Sequence, residues 1–157
     1  MPLFNFSHSL NIPALSILFD QHFVQGTVGR KELVFPRTGE KRIKYFVVLN
    51  ADPHEAETLS VVAQSDPKYA LNHHVLKTHL VYTDRANSDG IFRKPGYIDC
   101  TEIIPIEREN ILSEFITDSS VLIGRLPEIL LNEIKRVIVG SPIIELEYQE
   151  RIYSGVA

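Results

Sequence analysis

The apolar positions of this chain fall into short runs separated by glycine, proline, asparagine and aspartate, and the period of the runs changes along the sequence. Ile12, Leu15, Ile17, Leu18 and Phe23 recur at helical spacing behind Asn11, a candidate N-cap, with Pro13 in the first turn. This predicts a helix over about residues 12–24. "KELVF" predicts a strand, and "IKYFVVLN" is the clearest strand in the chain. In it Ile43, Tyr45, Val47 and Leu49 point one way, while Arg42, Lys44, Phe46 and Val48 point the other. Both faces turn apolar after Tyr45, as a central strand requires.

"TLSVVAQS" predicts the next strand, and "HHVLKTHLVYT" fits strand or helix. "GYIDCTEIIPIE" reads as a strand whose Pro105 points to an edge or a bulge. "RENILSEF" reads as a short helix and "SSVLIGRL" as a last strand. "PEILLNEIKRVIVG" is an amphipathic helix with Pro127 in its first turn, Lys135 and Arg136 in its last, and Gly140 beyond them. "IIELEYQERIY" alternates as an acidic strand would. Strands grouped between helices predict an antiparallel sheet or small barrel in an α+β protein. A single domain, 1–157, is expected: a helical extension at 1–25, a barrel with its terminal helix at 26–140, and an acidic tail at 141–157.

Composition changes this picture little. The chain is 44% hydrophobic and 23% charged, ordinary for a soluble globular protein. No apolar run reaches the roughly 18–20 residues of a membrane span, so no membrane partner is expected. The N-terminus lacks the basic start of a secretory signal. One cysteine, Cys100, excludes an intrachain disulfide and a thiolate-rich metal site, and fits a reducing, cytoplasmic home. Charge is more informative. Residues 30–44 hold Arg30, Lys31, Arg37, Lys41, Arg42 and Lys44 against Glu32 and Glu40, a local balance of +4 in a chain of net charge −4. Such asymmetry marks either an anion site or the solvated mouth of a charged hairpin.

Most familiar chemistries find no support. His73, His74 and His79 do not converge at helix or strand spacing and read as partly exposed, so no metal is expected. Cys100, between Asp99 and Glu102, reads as a buried structural thiol. No phosphate loop, dinucleotide fingerprint or Gly-x-Ser-x-Gly elbow occurs, and no cofactor is expected. The pairs Glu55/Glu57 and Glu145/Glu147 read as solvated. Arg42 and Lys44, two apart on a strand, leave one face together as a candidate phosphate clamp. Tyr45 and Tyr69 are candidate platforms for bases, whereas Phe46 reads as core.

Three pieces then resemble, in order, the MazF/PemK family of bacterial endoribonuclease toxins: "TGEKRIKYFVVLN", "TLSVVAQS", and "GYIDCTEIIPIE" followed by "VLIGRLPEILLNEIKRVI". The resemblance covers roughly residues 26–140. It implies a small antiparallel Src-homology-3-like β-barrel of the MazF/CcdB plasmid-maintenance-toxin type, with a C-terminal helix and, here, an N-terminal one. It also implies a homodimer, a small antitoxin partner, and metal-independent cleavage of single-stranded RNA. In that reaction the ribose 2′-hydroxyl attacks the adjacent phosphate, an arginine stabilises the charge, and a threonine or serine assists. The family's arginine falls at Lys44, with Tyr45 replacing a proline and Arg42 able to substitute; the polar pair falls at Gln64 and Ser65. The catalytic set implied is Arg42, Lys44 and Ser65, with Lys31, Arg37, Lys41, Tyr45, Gln64 and Tyr69 as RNA contacts. The alternative is a barrel of the same fold that has lost catalysis and binds nucleic acid or a partner protein. Lysine, unlike arginine, offers a point charge rather than a bidentate fork.

Overall fold

Asn11 opens the first helix as its sequence predicts: its side-chain oxygen accepts the Ala14 amide at 2.9 Å. The computed structural model describes residues 11–153, so 1–10 of the expected extension and 154–157 of the tail lie outside the described residues. Helix α1 (Ile12–His22) buries Leu15 and Phe19. The Phe19 ring stacks on Phe23 at 4.6 Å and tilts against Phe115 of α3 (Arg108–Thr117) at 5.4 Å. Arg108 covers the Phe19 and Phe23 rings and bonds Asp20 at 2.6 Å, joining the two helices.

Among the described residues six strands follow: β1 (Thr27–Val34), β2 (Lys41–Val48), β3 (Glu57–Gln64), β4 (Leu80–Thr83), β5 (Gly96–Glu107) and β6 (Leu122–Arg125). They form one antiparallel sheet in the order β4-β5-β3-β2-β1-β6, so the mixed α+β class expected from the grouped strands is present. The sheet curls as a half-barrel with β4 and β6 as its edges. Arg37, on the β1–β2 turn, reaches past β3 to the Thr101 carbonyl and the Glu102 carboxylate of β5, each at 3.2 Å.

β2 is central, and its parity holds. Val47 and Leu49 join a core with Leu59, Val61 and Ile98, covered by α4 (Glu128–Ile138) and α5 (Leu146–Tyr153). Phe46 and Val48 join Val62, Ile104 and Ile106 under α1 and α3. Gly29 of β1 makes room for Phe46: a Cβ there would lie 2.4 Å from the ring. Pro105 sits past the reach of β4, where one side of β5 is open, and close to a bulge between Ser60 and Val62 of β3.

Three expectations need correction. The acidic tail, expected to alternate as a strand, is a helix, α5. Ile144, Tyr148 and Ile152, four apart, turn toward the core, and the buried Gln149 side chain bonds Gly140, Ser141 and Ile144 backbone. Glu55 and Glu57 are not simply solvated: Arg151 of α5 grips them at 3.2 and 2.8 Å. The ambiguous "HHVLKTHLVYT" divides into a 3₁₀ turn, Leu76–His79, and β4. His79 is buried there and not partly exposed.

Candidate functional site

The backbone ladder between β2 and β3 stops at Phe46 opposite Val62. Continued in register, it would set Lys44 opposite Gln64. Instead the two side chains bridge the opening: Lys44 Nζ donates to Gln64 Oε1 at 3.0 Å. Beyond this point β1 and β2 run on as a two-stranded arm, with Val34 opposite Lys41. A groove of about 940 Å³ opens where the strands part, lined by Lys44 and Tyr45 of β2 and by Gln64 and Ser65 at the end of β3.

Other walls come from distant segments. The β4–β5 loop is built by Asp84 and Asn87, whose side chains each accept the other's amide at 2.8 Å. Buried Ser88 accepts the Phe92 amide at 3.0 Å, and the left-handed residues Asp89 (φ 55°) and Gly90 (φ 82°) reverse the chain. Phe92 is thereby pinned in the core while Arg93 and Lys94 stay exposed at the groove. Arg30 of β1 and Arg125 of β6 complete it. Among the described residues, five cations and one carboxylate, Asp89, line the groove. The Tyr45 ring meets the edge of Phe92 at 5.8 Å, and the Arg30 guanidinium lies 5.7 Å from its centre.

The Lys44 ammonium is held below the ordinary lysine range, chiefly by burial and then by Arg42, with Asp99 opposing. Arg42 shares a strand face with Lys44, but its guanidinium pairs with Glu40 at 2.7 Å. The Cys100 thiol is buried and pushed upward by burial and by nearby Asp99, which leaves it inert.

The structure therefore gathers four of the sequence-predicted residues, Lys44, Tyr45, Gln64 and Ser65, at one groove. Lys31 is elsewhere, 3.1 Å from Glu114 of α3 with its side chain only 11% exposed. Arg37 is spent holding the hairpin against β5, Lys41 is exposed on the arm, and Tyr69 is 78% exposed on a short helix, Lys68–Leu71. Arg93, Lys94, Arg125 and Tyr97 were not singled out by the sequence, and Arg30 entered only as part of a local charge count. Their segments carried no mutual signal, since only the sheet order brings them together. The ensemble can hold a chain of phosphates, present a ring to a base, and place Lys44 beside a phosphate whose charge grows. No family model and no curated protein matches this sequence.

Proposed function

We propose that this groove binds single-stranded RNA. The observation that carries the reading is its charge: five cations against one carboxylate, in a chain of net charge −4. Tyr45 adds a ring on which an unpaired base stacks, as duplex bases cannot. The resemblance to MazF/PemK toxins extends the proposal. The half-barrel is then of the Src-homology-3-like, plasmid-maintenance-toxin type, and the chain works in the cytoplasm as a homodimer held in check by a small antitoxin. Cleavage proceeds without a metal. The ribose 2′-hydroxyl attacks the adjacent phosphate as its proton passes to solvent, and the P–O5′ bond breaks to leave a 2′,3′-cyclic phosphate and a 5′-oxygen that takes up a proton from solvent. Lys44 faces the growing charge in place of the family's arginine, with Arg42 behind it, and Ser65 donates one hydrogen bond.

A second reading, binding without cleavage, is favoured by one observation: the Lys44 ammonium is already engaged by Gln64. One experiment separates the two. The purified chain is incubated with a long unstructured RNA in the presence of a chelator, and binding is followed from low to high salt. Discrete fragments that disappear in Lys44→Ala support the nuclease; salt-sensitive binding of intact RNA supports the binding module. No binding at low salt ends both.

A further inference from the structure

The sheet face covered by α1 and α3 is covered only in part. Past Phe46 and Val62 the same face continues as a row across four strands. Lys44 of β2 bonds Gln64 of β3, Gln64 is registered opposite Tyr97 of β5, and Tyr97 opposite Tyr82 of β4. The two tyrosine rings meet edge to face at 5.8 Å, and Tyr82 is 47% exposed. With strands spaced about 4.8 Å apart, the row spans roughly 15 Å, room for two or three nucleotides of a single strand. Lys44, Gln64 and Tyr97 also line the groove, whereas Tyr45 stands on the opposite sheet face. The groove therefore turns around the free end of β3 and runs onto this row.

We infer that Tyr97 and Tyr82 form a stacking platform for bases of single-stranded RNA leaving the groove, with Lys44 at the turn. The inference rests on the groove reading. RNA fits the row better than a protein partner because the row continues a cationic groove and presents rings rather than an apolar strip. Of its neighbouring charges, Arg42 is paired with Glu40 and Arg37 with Glu102, while the Asp99 carboxylate beside Tyr97 accepts from the Thr101 amide and hydroxyl and repels phosphate. The row therefore adds stacking and almost no phosphate contact, and its contribution is insensitive to salt.

The test uses fluorescence anisotropy with a labelled unstructured 12-nucleotide RNA at several salt concentrations. Tyr82→Ala is expected to weaken binding roughly 5- to 100-fold with the slope of log Kd against log salt unchanged. Tyr82→Phe is expected to bind as the wild type does. The double variant Arg93→Ala/Lys94→Ala should instead flatten the slope by about 1.4. If Tyr82→Ala binds like the wild type while the double variant loses its slope, the platform is overturned and the groove reading stands. If neither variant changes binding, or the wild type does not bind, both are overturned.

Discussion

His79 Nε2 and Ser141 Oγ lie 2.6 Å apart in the interior, tying the turn before β4 to the loop between α4 and α5. The tautomer follows from the other nitrogen. His79 Nδ1 faces the Val75 carbonyl at 3.2 Å and the Thr78 hydroxyl at 3.1 Å; the hydroxyl gives its own proton to that carbonyl at 2.6 Å, so both partners accept, Nδ1 carries the proton and Ser141 donates to Nε2. Ser141→Ala would leave a buried ring nitrogen without a donor. We expect it to cost about 1–3 kcal/mol, read as a lower urea midpoint at unchanged slope.

The close approach of β1 to Phe46 makes a second prediction. Gly29→Ala places a methyl 2.4 Å from the ring, and Phe46 is walled in by both α1/α3 core residues and the sheet. Overpacking of this kind costs about 1–3 kcal/mol. Thermal denaturation should show a depressed Tm, and pairing Gly29→Ala with Phe46→Leu should recover part of it.

Lys44 predicts a pH dependence. Its folded pKa lies below its unfolded value because burial and Arg42 disfavour the ammonium. Between the two values the unfolded chain binds more protons, so stability rises with pH across that alkaline window. Below it the charged ammonium is a constant burden on the fold. Lys44→Met should remove the burden, raising the midpoint at neutral pH relative to the wild type and narrowing the gap as pH climbs. A gap that is constant from neutral to alkaline pH would refute the assignment.

Arg151 holds α5 to the turn between β2 and β3. It bonds the Glu55 and Glu57 carboxylates and, at 2.9 Å, the Glu57 carbonyl, with its own side chain only 19% exposed. Arg151→Ala removes these charge-assisted bonds at a cost of about 1.5–3 kcal/mol. Limited proteolysis should then cut within residues 50–57 or ahead of α5 before the rest of the sheet opens.

Tyr45 and Tyr69 make opposite predictions for binding. Tyr45 stands in the groove against Phe92 and Arg30, whereas Tyr69 is on the short helix outside it, its ring 6.1 Å from that of His73. Tyr45→Ala should weaken RNA binding by roughly fivefold or more, while Tyr69→Ala leaves it unchanged in the same anisotropy titration.

Strand β2 was legible because parity alone divides its side chains, and α1 and α4 because a cap, a proline and a stop bound their apolar stripes. Helix α5 was not. Ile144, Leu146 and Tyr148 alternate as a strand does, yet Ile144, Tyr148 and Ile152 also repeat every four. Local pattern does not arbitrate between these periods; the distant partners of Gln149 and Arg151 do. The same physics limits the site. Lys44, Tyr45, Gln64 and Ser65 belong to neighbouring strands and share one register, so sequence order nearly delivers them. Arg93, Lys94 and Arg125 reach the groove only through the crossover from β3 to β5 and the return of β6 to β1. Glu40 spoils Arg42 as a free cation, which strand parity cannot reveal because Glu40 precedes the strand.

The grip of Arg151 on Glu55 spans 96 positions of sequence. At about 5–20 residues per second, a ribosome needs roughly 5–20 s after making Glu55 to supply its partner. Through that interval Glu55 and Glu57 lack the guanidinium that Arg151 supplies in the folded chain. The turn joining the two strands that flank the groove is therefore tied down only after α5 has been made.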